Sequence, residues 1–452
     1  MPVIRTKTAL LLLLVAALTV PLASQDFASV QQSAAEELAK LNIPGASIAV
    51  VRGDQVIFSK SFGKANVETA EAVRPEMLFR LGSTTKMFTA AALVGLSLEG
   101  KIDLNAPIGK YVKGLAPKIS KVTANQLLSH TAGIRDSVIS YGPHDDTALG
   151  KEVRSWTDAW LFTAPGKVMS YSNPGYWLAG YLIEAITGKS YAEAMEARSF
   201  HPLGMTRTTL RPTMALTWPL AQGHEFVEGK LRIARPAADN ASNWPAGSIF
   251  SNLQDLSRFV IAFMNDGRVD NKQVLDPKVI ALMSSSRVPI PGGGESYGYG
   301  LMLREYRGFH LVQHNGSRIG YGSEIRMLPE QRVAVIVQTN RTGSTLPATT
   351  EKAIEVLVKL AANPAKVESP VLPVTTDDIG RVVGVYRNGD HRIEITTHDN
   401  RLFARHDQEN EAEVTKRTAK NFSGEGRLAI SVSDEGKVEY VHSGLRSYAR
   451  VR

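Results

Sequence analysis

No cysteine occurs among the 452 residues. That removes disulfides, thiolate metal sites, a lipid-modified cysteine and a cysteine nucleophile together. The cations are scattered, with no basic block interleaved with aromatics, so a nucleic-acid surface is not expected. After the first two dozen residues no apolar run is long enough to cross a bilayer. The opening stretch reads as a signal peptide over residues 1–24. Arg5 and Lys7 form its basic region, Ala9 to Val20 its apolar run, and Leu22-Ala23-Ser24 its cleavage region. An uncleaved anchor is the rival reading, but the apolar run falls short of a typical span. The expectation is a secreted or periplasmic protein with no stable membrane anchor after cleavage. Its net charge then falls from +8 to +6, a dilute positive charge that serves solubility or draws in anionic material.

What is present is ordinary for a globular protein with a sizeable core: 43% hydrophobic and 21% charged residues. Leu81 to Gly100 stands out within it. Ser83 is placed as the N-cap of a helix rich in alanine and leucine, and Gly100 as its stop. Apolar residues cover nearly all sides, so the helix belongs inside a large domain. Its one cation, Lys86, lies three residues after Ser83 and therefore on the same face. A hydroxyl at a helix N-terminus beside a buried ammonium makes a candidate activated nucleophile. The bare spacing is weak, and Ser61 with Lys64 repeats it where a strand runs into a turn and the two side chains diverge.

Along the chain, Phe27 to Leu41 reads as a helix, and Ala46 to Val51 and Val56 to Phe62 as strands joined at Gly53-Asp54. Thr123 with Gln126, and Ser251 with Gln254, are placed as capping boxes. Asn173 is placed as the N-cap of a helix that closes at Gly188. From Gly300 the period returns to two: Gly300–Glu305, Phe309–Gln313, Ser323–Met327 and Arg332–Thr339 read as antiparallel strands. A closing helix follows over Thr349–Ala362. The expected fold is mixed α/β, one antiparallel sheet built from both ends of residues 25–362 around a helical insert. Residues 363–373, rich in proline, read as a linker. Residues 374–452, with short strands and turns, read as an independent all-β barrel module.

Two further groups are candidates: Tyr171-Ser172-Asn173, and His314-Asn315-Gly316 beside Ser317. His310 and His314 share a strand face, but no carboxylate or third histidine is nearby in sequence. The phrase around His130 reads as structural, a histidine satisfying carbonyls at a helix end.

With these marks in this order, the sequence resembles the serine β-lactamase and penicillin-binding protein superfamily. It is most similar there to the class C β-lactamase branch with its D-Ala-D-Ala carboxypeptidases, D-aminopeptidases and esterases. Leu127 to Gly133, Pro202 to Met205 and Pro245 to Ser251 carry phrases typical of that branch. The tail resembles the lipocalin-like barrels appended to such hydrolases. The resemblance implies that Ser83 forms an acyl-enzyme and Lys86 takes or shares its proton. Tyr171 would then act as general base, as phenolate or through the lysine, and Asn173 would bind the substrate amide and Lys86. The backbone N–H groups of Ser83 and Ser317, beside Gly316, would form the oxyanion hole. His314 stands where class C β-lactamases carry lysine, which argues against efficient β-lactam hydrolysis but not against acyl transfer. It is placed as a substrate-binding residue that titrates near 6.5, with Arg318 four residues on as a second cation for a substrate carboxylate.

The expectation is thus a serine hydrolase without cofactor or metal, acting on D-amino-acid peptides, β-lactams or small esters, with cell-wall peptide as a candidate partner. The alternative is a catalytically idle penicillin-binding sensor or cell-wall-peptide scaffold.

Overall fold

The computed structural model describes residues 26–363 and 370–451. The expected signal peptide and the centre of the expected linker lie outside those residues.

Eight antiparallel strands form the central sheet: β1 (Gly45–Arg52), β2 (Gln55–Gly63), β3 (Val288–Pro289), β4 (Glu295–Tyr297), β5 (Met302–Tyr306), β6 (Phe309–Arg318), β7 (Tyr321–Leu328) and β8 (Val333–Thr339). Their order is β2-β1-β8-β7-β6-β5-β4-β3. The two ends of the chain meet where β1 pairs with β8, Ala46 opposite Thr339 and Val50 opposite Val335. The sequence pattern misses β3 and β4, which are two and three residues long and too short to show a period.

Alternation along the central strands separates two cores. Ile48, Val50, Val335 and Val337 face α1 (Ala28–Lys40) and the C-terminal helix Pro347–Glu355. Ala49, Val51, Ala334 and Ile336 face the helical insert. A period of two with both faces covered produces this division. The insert is built on α2 (Thr85–Leu98) and α3 (Asn173–Thr187). Thr123 and Gln126 do form their capping box. The helix Leu253–Met264 is instead capped by Asn252, which accepts from the Asp255 N–H, one residue later than the sequence suggests. The C-terminal helix ends at Glu355, shorter than expected.

The tail closes into an eight-stranded barrel. Its first strand, Gly384–Asn388, pairs with its last, Arg446–Arg450. Tyr386, Ile393, Leu402, Phe422, Val441 and Tyr448 fill the interior. The barrel does not stand apart. Ser447 donates from its N–H to Ser170 Oγ and from its hydroxyl to the Met169 carbonyl. Asn388 bridges Ser170 Oγ and the Asp136 N–H.

Glu184 on α3 illustrates a cost inside this packing. Its carboxylate accepts the Tyr191 N–H at 2.9 Å. Burial, with Asp146 nearby, pushes its pKa up to about 7 from 4.5. The folded state therefore holds a proton that the unfolded chain has already lost, and stability falls as pH rises from 4.5 towards 7. Glu184→Gln keeps the acceptor and removes the charge. Its melting temperature should exceed wild type at pH 8 and match it near pH 4, as thermal scans at both values would show.

Candidate active site

The turn before α2 is a short 3-10 helix, Gly82–Thr84, and α2 itself begins at Thr85. Ser83 is therefore not an N-cap. Its hydroxyl is spent on no cap and is left for Lys86. Gly82 has φ +53°, and a Cβ there would stand 2.6 Å from the Ser317 nitrogen. A Cβ on Gly316 would stand 1.8 Å from the Leu81 carbonyl oxygen. Glycine at both positions lets the serine turn press onto β6, main chain against main chain. Ser323 Oγ ties the turn to β7 by donating to the Leu81 oxygen at 2.6 Å.

Lys86 is fully buried. Its Nζ lies 3.2 Å from Ser83 Oγ, 2.8 Å from Asn173 Oδ1 and 2.7 Å from the Ala246 carbonyl oxygen. The Tyr171 and Tyr176 rings stand 4.8 and 5.5 Å away. Desolvation lowers its pKa well below the ordinary 10.5; Asp136 opposes the shift and Arg446 adds to it. A neutral amine has two N–H groups and one lone pair. Asn173 and Ala246 take the two hydrogens, which leaves the lone pair for the Ser83 hydroxyl proton.

Asn173 is free to do this because it is not the N-cap of α3. Ser172 is, accepting from the Gly175 N–H at 3.1 Å. The Asn173 side chain donates to Asp136 Oδ1 at 3.1 Å, which fixes its oxygen towards Lys86. Asp136, itself buried, also accepts the Asn173 N–H at 2.8 Å. Its other oxygen accepts from Arg446 at 2.7 and 2.5 Å. Arg446 belongs to the last barrel strand, and the Leu445 carbonyl accepts the Tyr171 N–H at 2.8 Å. A hairpin of the barrel is thus part of the site wall. Nothing in the sequence pattern marks Asp136 or Arg446.

Tyr171 is buried, and desolvation raises its pKa well above 10, so its hydroxyl keeps its proton at working pH. The hydroxyl has no hydrogen bond of standard geometry, although Ser83 is near enough to favour its ionised form. The expected phenolate is not supported. Behind it the His130 ring packs tilted by 35°, its centroid 4.2 Å away. His130 Nδ1 accepts the Ser172 N–H at 3.1 Å, which is the reverse of the carbonyl contact expected from its place at a helix end.

His314 also departs from expectation. Its Nδ1 lies 2.6 Å from the Asn315 carbonyl oxygen and must donate there. Nε2, 3.0 Å from the Tyr297 hydroxyl, is then the acceptor. Burial is the main cause that pushes its pKa from 6.5 down to about 3, and Lys86, whenever it is protonated, pushes the same way. It stays neutral from pH 5 to 8 and has no N–H left for a substrate. Ser317 is exposed beside it. In a series of kcat/KM against pH for matched acid and neutral substrates, wild type and His314→Gln should give parallel profiles. A limb near 6.5 that vanishes in the variant would restore the charged role.

Fold and site are of the β-lactamase and penicillin-binding-protein type. The chain belongs to the beta-lactamase family, whose model matches residues 30–359. It is similar to unguisins hydrolase ungD' of Aspergillus campestris, 29% identical over 344 residues, 71% of this chain and 62% of that protein. It is also similar to penicillin-binding protein 4 of Amycolatopsis lactamdurans, 30% identical over 315 residues, 66% of this chain and 81% of that one. Among solved structures, SurE with D-Leu superposes with a TM-score of 0.76 at 24% identity, covering 95% of this chain and all of that one. The first of these relatives is thus matched over less than two thirds of its length.

Proposed function

We propose that the protein is an exported hydrolase that cleaves amide or peptide bonds next to D-amino acids through an acyl-enzyme on Ser83. The observation that carries this is the buried, desolvated Lys86, its Nζ 3.2 Å from Ser83 Oγ and held by Asn173 Oδ1 and the Ala246 carbonyl oxygen.

Lys86 takes the Ser83 proton as Oγ attacks the carbonyl carbon. The backbone N–H groups of Ser83 and Ser317 hold the oxyanion; loss of one such donor costs about 3–4 kcal/mol. Tyr171, protonated and facing Ser83, relays the proton that Lys86 took from Ser83 to the leaving amine as the C–N bond breaks, so Tyr171 ends protonated and Lys86 neutral. In deacylation a water attacks the ester and the same groups return its proton to Ser83. Asn173 positions Lys86 and presents its amide to the substrate. His314 shapes the wall with Tyr297 and carries no charge. The uncharged wall at His314 suits a neutral peptide amide there. The relative solved with D-Leu supports the D-amino-acid reading, and the basic and apolar start of the chain supports export.

Intact-mass measurement after exposure to a fluorophosphonate, then peptide mapping, tests the nucleophile: one adduct, on Ser83, is expected. A panel of D- and L-amino-acid amides, small esters and a penicillin tests the substrate class. Faster turnover of D-amides is the expected result. A lasting penicilloyl adduct with no turnover of any substrate would favour the sensor reading instead.

A further inference from the structure

A cavity of about 430 Å³ is lined by Arg80, Leu216, Leu220, Trp244, Phe250 and Tyr321 among others. Its walls are mostly apolar, yet the buried guanidinium of Arg80 lines it, and that of Arg318 lies just behind the lining on the same Ala238 carbonyl. Arg80 is 3% exposed and Arg318 6%. Both donate to the Ala238 carbonyl, and Ala238 and Ile319, the next residue after Arg318, line the cavity.

The partners of these cations are too few. Arg80 bonds Asp239 at 3.1 Å. The same carboxylate also serves His144 at 2.8 Å and the Trp244 indole at 3.4 Å. Among the described residues Arg318 donates to carbonyls alone, Ser140 and Ala238, each at 3.4 Å, with Asp239 acting on it from further off. The Nε of each arginine is buried without a partner. The neighbouring Arg211 is neutralised by its own Asp146. Two buried cations therefore face one buried carboxylate, which leaves buried positive charge without a counter-ion of its own. The segment carrying Leu216 and Leu220 also exposes Met214 and Trp218, and the loop around Ser140 exposes Val138, Ile139 and Tyr141. An apolar rim thus leads to a cationic edge.

We infer that this cavity binds a small carboxylate with an apolar body. The carboxylate pairs with Arg318 and Arg80, and the hydrocarbon part packs on Leu216, Leu220 and Phe250. Such a group has two sources. Arg80 lies three residues before Ser83 and Arg318 directly follows Ser317, so it is either the acyl part of a substrate held on Ser83 or a free ligand.

The test uses the full chain carrying Ser83→Ala, so that binding is read without turnover and independently of the hydrolase reading. Calorimetric titration with octanoate should give saturable binding, and octanamide should bind at least tenfold more weakly. Adding Arg318→Gln should weaken octanoate at least tenfold. Adding Ala237→Trp, at the exposed rim, should do the same without touching a buried cation, and it carries the test if the arginine variant does not fold. No saturable binding below roughly 10 mM, equal binding of the amide, or equal binding in both variants would overturn the inference. In the wild type, competitive inhibition of ester hydrolysis by octanoate assigns the site to the acyl group. Binding without inhibition assigns it to a free ligand.

Discussion

Lys86→Met should lower the rate of Ser83 acylation by roughly 10³-fold or more while leaving the melting temperature unchanged or higher. The two halves come from one fact. Lys86 is fully buried among three oxygens and two aromatic rings, and no ion pair compensates it among the described residues. Desolvation that depresses its pKa makes it a competent base near neutrality and also a liability to the fold. Methionine keeps most of the stem volume and none of the proton chemistry. Removing a general base costs 10²–10⁴-fold, and here the same group also orients Ser83, which places the loss at the upper end. A lysine that merely braces the core would give the opposite pattern, a fall in melting temperature with turnover retained. Stopped-flow acylation with a chromogenic ester and a thermal scan on the same preparation separate the two.

The parts of the site that were legible in the sequence are those that rest on local spacing. Ser83 and Lys86 share a helical turn, and Gly316 beside Ser317 sits on a strand with a strong period, so each could be placed from its neighbours. Capping was legible only to within a residue, and the slip mattered. Asn173 reads as well for a cap as Ser172 does, yet only with Ser172 in that place is the amide released to Lys86 and Asp136. The ionisation of His314 and Tyr171 was out of reach, because both shifts come from burial among Tyr297, His130 and Lys86, which no local window contains. Least visible was the barrel's part in the site, since its residues lie between 218 and 310 positions after those they touch. The proline-rich stretch suggested a separable module, whereas the hydrogen bonds join the two.

A chain ending near Ala362 should therefore lose most of its activity, by on the order of 10²-fold or more, and become less stable. Truncation strips the Leu445 carbonyl from the Tyr171 N–H, and both Ser447 bonds from Met169 and Ser170. It also strips the Arg446 guanidinium from Asp136. The Tyr171 N–H then has no partner, and the Asp136 carboxylate that orients Asn173 loses its ion pair with Arg446. Displacement of a catalytic group by about 1 Å costs roughly 10²-fold. Arg446→Ala, in the full chain, isolates the last of these contacts. It should lower kcat more than it raises KM for a neutral ester, because Arg446 acts through Asp136 and Asn173 on Lys86 rather than on that substrate. Arg446→Lys should recover part of the loss by restoring a cation, but not the two-pronged contact with Asp136. If the truncated chain folds and hydrolyses the ester at the wild-type rate, the hairpin is a bystander and the site is complete without the barrel. Wild-type kcat in Arg446→Ala with loss in the truncated chain would place the dependence on Leu445 and Ser447, which hold the backbone beneath Tyr171.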